Sequence, residues 1–128
     1  MIVELETGVK KSKVIATKKV YKYEEVFQKS VEYFNGDELA ATTWMNKYAM
    51  KTRSGEYMEL TPDAMHKRMA KEFGRKEQEY ANKIHLNGKA ALLSEYGQNR
   101  NHLSENDIYN LFRKFEYVVP QGSVMSGL

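Results

Sequence analysis

The sequence predicts a mainly α fold: a bundle of four to five helices of the orthogonal type, closed by an extended C-terminal strand. Three observations predict it. Apolar residues recur at spacings of three and four over Tyr23 to Phe34, Met65 to Phe73 and Ile108 to Phe115. Residues that start or stop helices bracket those stretches. The final residues, VVPQGSVMSGL, break the spacing with two β-branched side chains, a proline and two glycines.

At 128 residues the chain fits one domain, able to bury roughly 60% of its unfolded surface. It has no cysteine, which excludes disulfides, thiol catalysis and thiolate metal sites within it. No apolar run approaches the roughly eighteen residues a membrane span needs. The opening MIVELETGVKK carries acids where a secretion signal carries only bases, so a cytoplasmic location is expected. The net charge of +3 and a sequence pI near 9.0 justify weighing a nucleic-acid reading.

Residues 1–20 read as a basic N-terminal arm with Lys10, Lys11, Lys13, Lys18 and Lys19. The pairs Ile2-Val3 and Val14-Ile15 each suit a short strand, and lysines beside a strand guard an exposed edge as readily as they meet phosphates. Residues 21–117 form the predicted helical domain. Its first helix presents Tyr23, Val26, Phe27, Ser30, Val31 and Phe34 on one face and stops at Asn35-Gly36. Asp37 then caps a second helix, its carboxylate suited to the freed amides of the first turn. There Leu39, Ala40, Thr43, Trp44, Lys47 and Tyr48 share a side, with Trp44 as core anchor and ligand stacking as the sharper alternative.

Residues 51–60, KTRSGEYMEL, break the helical spacing at Ser54-Gly55 and read as a loop or short hairpin. Thr61-Pro62-Asp63 opens the next helix: a cap, a proline at the first helical position and an acid at the positive end. Met65, Met69, Ala70 and Phe73 form its buried face. Lys67, Arg68, Lys71 and Arg75 take other azimuths, and the interspersed Glu72, Glu77 and Glu79 make that side a solvated, ion-paired face. Between Tyr80 and Leu103 the spacing is ambiguous, with a short helix expected from Gly88 to Tyr96 and a polar connection from Gly97 to Asn101. Ser104 and Asp107 make a shortened capping box for the last helix, which buries Ile108, Leu111, Phe112 and Phe115 and ends near Phe115. Residues 118–128 then run out extended.

The chain shows little chemistry of its own. His66, His85 and His102 are scattered without the spacing that sets two imidazoles on one helical face, so no metal site is expected. Adjacent carboxylates such as Glu24 and Glu25 point apart, and no phosphate loop, dinucleotide fingerprint or serine elbow is present. The exception is the end: amides around Gly122, Ser123 and Ser126, turned to one side, would suit an anion, with the Ser123 hydroxyl as a further donor. A flexible tail is the equal alternative. The apolar Val124, Met125 and Leu128 in that tail look meant to be covered by something.

Three stretches together carry a resemblance: YFNGDELAATTWMNKYAM, LTPDAMHKRMAKEF and the closing YVVPQGSVMSG. In order and spacing they resemble the N-terminal helical region of the catalytic large subunit of ribonucleotide reductase, in its short forms that include adenosylcobalamin-dependent enzymes. The resemblance covers residues 20 to 128, nearly all of the chain apart from the arm. It implies that the helices precede an α/β barrel missing from this chain, where a cysteine radical and a cysteine pair reduce ribonucleotides to deoxyribonucleotides. It implies that residues 120–127 lie at the barrel entry, with Gly122 and Ser123 next to a bound ribonucleoside diphosphate. It further implies a partner, the remaining barrel, on the same chain or a split one. The radical generator, adenosylcobalamin or a metal-containing partner subunit, would serve the complete enzyme, and none is bound by this fragment.

The departures are equally definite. Every cysteine is missing, so the chain reads as a fragment that is not catalytic by itself. The arm is too short for an ATP-binding regulatory cone, and residues 81–102 read as an insertion. The alternative to a reductase fragment is a small basic helical protein that binds nucleic acid or acts as an adaptor.

Overall fold

The computed structural model describes residues 18–86 and 93–127. The described chain is mainly helical: α1 (Tyr23–Tyr33), α2 (Glu38–Lys47), α3 (Pro62–Leu86), α4 (Glu95–Asn99), α5 (Glu105–Phe112), a 3-10 turn (Arg113–Phe115) and α6 (Gly122–Gly127). No strand occurs among the described residues. Two isolated antiparallel bridges set Tyr57 between Tyr21 and Lys51. The 51–60 segment is thus the expected hairpin, folded at Gly55 and tied by the Thr52 amide to the Glu56 carbonyl at 2.9 Å.

The helix ends follow from local chemistry. Asn35 and Gly36 adopt positive φ after α1, and the Gly36 amide returns to the Val31 carbonyl at 2.9 Å, so orphan carbonyls of the last turn are answered. One residue on, the Asp37 carboxylate accepts from the Ala40 amide at 2.9 Å and starts α2. The two helices therefore follow closely on one another and pack together. At Ser104 the expected capping box is complete, with both reciprocal bonds present.

α1 packs on α2 and the long α3 packs on α5. Their shared core is Val26, Trp44, Met45, Met65, Met69 and Ala70, closed at one end by Ile108 and Phe112. Met45, Met65 and Met69 are among the largest fully buried side chains. Unbranched thioethers suit the irregular gaps left between packed helices.

Several expectations change. α3 continues through the ambiguous Tyr80 region to Leu86, supported by i,i+4 pairs such as Lys83 with Glu79 and Gln78 with Asn82. The short helix expected from Gly88 to Tyr96 lies largely outside the described residues. α4 straddles the end of that expected helix and the start of the stretch read as a polar connection, because Ser94 caps it by accepting from the Gly97 amide at 3.1 Å. α5 ends at Phe112 rather than Phe115, since Lys114 and Phe115 turn left-handed. Where an extended C-terminal strand was expected, residues 118–121 form neither helix nor strand, and the chain turns helical at Gly122. The Gln121 carbonyl collects the Val124 and Met125 amides, and the Ser126 hydroxyl donates to the Gly122 carbonyl. Of the basic arm, residues 1–17 lie outside the described residues, while Lys18 and Lys19 are exposed.

Met69 lies in the N-terminal half of α3 at 0% exposure. Met69→Ala is expected to cost about 3 kcal/mol by the usual measure of a truncated core side chain, read from the urea midpoint. A loss below about 1 kcal/mol would mean that the core does not sit here.

Candidate functional site

The three stretches that carry the resemblance meet at the start and end of α6. α3 supplies Arg68, which its azimuth had assigned to the solvated stripe. Its side chain is instead only 14% exposed, turned toward the hairpin. There Glu59, 6% exposed at its side chain, receives the guanidinium at 2.5 Å and also accepts the Met50 amide at 3.0 Å. The same guanidinium donates to the Met125 carbonyl at 2.9 Å and reaches the Tyr48 carbonyl at 3.5 Å. A planar fork of five donors suits such a junction, whereas a lysine would meet fewer of these acceptors.

Tyr48, just beyond α2, provides the second support. A Cβ built on Gly122 would stand 3.0 Å from the Tyr48 ring, so glycine is what allows the backbone to approach that closely. Ser123 is exposed beside it. The structure thus brings Gly122 and Ser123 to the first turn of α6, where their amides have no intrahelical acceptor. Ser126 does not join an anion cradle from the other side: it lies on the last turn, and its hydroxyl is engaged by the Gly122 carbonyl at 2.9 Å.

Two grooves flank this junction. One, of about 800 Å³, runs along α3 past Arg68, Lys71 and Arg75 to Ser104 and Gly127. The other, of about 380 Å³, is apolar and lies between Phe34, Leu39, Ala40, Thr43, Phe115 and Met125. The second explains a difference on α2. The side shared by Leu39, Ala40 and Thr43 borders this open groove, leaving Leu39 76% exposed, while Ala41, Trp44 and Met45 take the core. Trp44, 2% exposed, is the packing anchor expected of it. Further apolar surface lies on Tyr117, Val118 and Val119, all exposed between the 3-10 turn and α6.

The remaining charges are local. On α3, Lys67 pairs with Asp63, Arg75 with Glu72 and Glu79, and Lys76 with Glu79, the ion-paired face the sequence predicts. Hydrogen bonds from Lys83 and Lys76 hold the Glu79 carboxyl down at about 2. Glu77 is likewise held at about 2, chiefly by Arg100, and with His102 and the Leu103 amide it ties the 100–103 segment to α3. Burial alone would raise the Asp63 carboxyl, but hydrogen bonds from Tyr109 and Lys67 outweigh it and hold the group below its ordinary value. His66 is fully buried, and His102 lies 3.3 Å from Glu77. Among the described residues no three histidines, cysteines or carboxylates gather as a metal site would require, and no described helix is long and apolar enough to cross a membrane.

Sequence reasoning missed the Arg68 junction because its second acceptor is a backbone carbonyl, which leaves no mark in residue type. Arg68→Met strands the Glu59 charge and is expected to cost about 3 to 5 kcal/mol in a denaturant melt. Adding Glu59→Leu should restore most of that, because the stranded charge is gone. Both variants should still lose amide protection over residues 122–127, since the Met125 carbonyl has lost its donor. Retained protection there would show that Arg68 does not hold α6.

No family model matches the chain, and no curated protein and no solved structure is similar to it. The functional reading therefore rests on the residues themselves.

Proposed function

We propose that this chain is the N-terminal helical portion of a ribonucleotide reductase large subunit. It packs against the cysteine-bearing α/β barrel and presents the Gly122 and Ser123 turn to a ribonucleoside diphosphate. One observation carries the reading: the stretches that bear the resemblance are distant in sequence yet converge on α6, through Tyr48 on Gly122 and Arg68 on the Met125 carbonyl.

The division of labour follows from side-chain chemistry. This chain has no thiol to carry a radical or a reducing pair. Its own contribution is positional. Arg68 and Tyr48 fix α6, the amides of Gly122 and Ser123 offer donors to an anionic group, and the exposed Ser123 hydroxyl adds another. The ion-paired surface of α3 offers little to a phosphate backbone, which disfavours nucleic acid as the partner.

The decisive experiment mixes the full chain with a separately produced barrel of a short-form reductase that begins where this chain stops. Co-elution and deoxynucleotide formation are expected with the matching radical generator supplied. Neither complex nor product under adequate radical supply would sink the reading.

A second variant tests the contact surface. Val119 is 57% exposed and apolar. Val119→Asp is expected to weaken the complex by about tenfold or more, near 1.4 kcal/mol, without lowering the melting temperature of the chain alone. An unchanged dissociation constant would remove residues 117–119 from the interface.

A further inference from the structure

His66 is 0% exposed, and neither of its ring nitrogens has a hydrogen-bond partner. Its neighbours are aromatic. The Phe112 ring lies 6.5 Å away and nearly parallel, and the Phe115 ring lies 4.6 Å away, edge-on. Phe115 in turn stacks on Phe34 at 6.0 Å. A neutral imidazole serves there as a flat, largely apolar plate. An imidazolium, carrying two donors and a charge with no acceptor in reach, does not.

The backbone that delivers Phe115 is strained. Lys114 and Phe115 have φ of 54° and 56°, two successive left-handed residues without glycine's freedom. Such a conformation persists only where the surroundings impose it, and the aromatic seat of Phe115 is what imposes it here. Beyond the turn the chain passes through the exposed residues 117–119 before Arg68 takes hold of Met125. Phe115 also forms one wall of the apolar groove beside Phe34 and Met125.

We propose that His66, Phe115 and the left-handed turn form a proton-operated latch. A proton on His66 unseats the Phe115 ring, relaxes the turn and frees residues 113–121 from the helical core, which opens the apolar groove.

The groups around His66 favour this response. On its own helix Asp63 would welcome a charged ring, but that carboxylate is engaged by Tyr109 and Lys67. α5 brings the Phe112 ring and the 3-10 turn the Phe115 ring, backed by Phe34 at the end of α1, while Tyr109 is bound to Asp63 and the cations Arg113 and Lys114 of the turn are exposed. None of these offers a free base. Burial accordingly pushes His66 down from 6.5 to about 4, with Asp63 pulling weakly the other way. Because the folded value lies below the unfolded one, the contribution of the neutral ring is whole above 6.5 and is lost as pH falls through the interval to about 4.

The test titrates the full chain from about pH 7 to about pH 3, following the histidine ring by NMR, near-UV circular dichroism and binding of an apolar dye. His66 is expected to titrate near 4, together with loss of the near-UV signal and uptake of dye while far-UV helicity persists. His66→Phe should hold its near-UV signal and exclude dye to at least about one pH unit lower, and Phe115→Ala should bind dye already at neutral pH. Titration of His66 near 6.5, or opening of His66→Phe at the same pH as the natural chain, would overturn the latch. Should His66→Phe fail to fold, the natural chain still decides: ring titration uncoupled from dye uptake overturns the proposal.

Discussion

A guanidinium removed from water has to be met by acceptors, and the way Arg68 is met organises the C-terminal part of this chain. Glu59 neutralises it, and the carbonyls of Tyr48 and Met125 take further donors, so one side chain of α3 binds the hairpin, the end of α2 and α6 together. Buried ion pairs are poor sources of net stability, because desolvation offsets most of the attraction. What an apolar trio of similar volume could not do is select one position for a backbone carbonyl. The pair is better understood as fixing the register of α6 against α3 than as holding the core together, a task the methionines already perform.

How much of this was legible depended on where the information lay. Caps and stops are written in single residues: Asp37, Asn35-Gly36, Pro62 and the Ser104–Asp107 box all appear where their chemistry places them. Helical faces were legible only as far as spacing could rotate them. On α2 the stripe Leu39, Ala40, Thr43 is as regular as the buried stripe Ala41, Trp44, Met45, and nothing in one helix says which will meet a neighbour. On α3 the azimuth of Arg68 looked solvated until Glu59, nine residues away across the hairpin, gave it a reason to turn inward. The left-handed pair Lys114–Phe115 was beyond reach, because neither residue type favours that conformation and only the tertiary seat of Phe115 imposes it.

The end of the chain shows the same division. Pro120 and the valines correctly keep residues 118–121 out of a helix, and the two glycines suit either turns or close backbone approach. Gly122 and Gly127 instead bound a short helical segment. Its first glycine is required by the Tyr48 ring rather than by its own dihedral angle, since among the described glycines positive φ occurs at Gly36 and Gly55 and not at Gly122. A glycine needed for close approach and a glycine needed for a turn look alike in a sequence. Only the partner across the gap tells them apart.

That distinction bears on what residues 116–121 can do. They are held at one end by Phe115 among the aromatic rings and at the other by Met125 under Arg68, while Tyr117, Val118 and Val119 stay exposed between the anchors. A segment pinned at both ends has already lost most of the backbone freedom that binding would otherwise remove, so apolar side chains carried on it can be buried by a partner at a smaller entropic cost than the same residues on a loose tail. The cost has been moved into the fold: the left-handed turn and the uncompensated imidazole beneath it are the unfavourable terms that this arrangement retains. The strain is offset by the aromatic seat that Phe115 gains, and the same turn sets Tyr117, Val118 and Val119 at the surface.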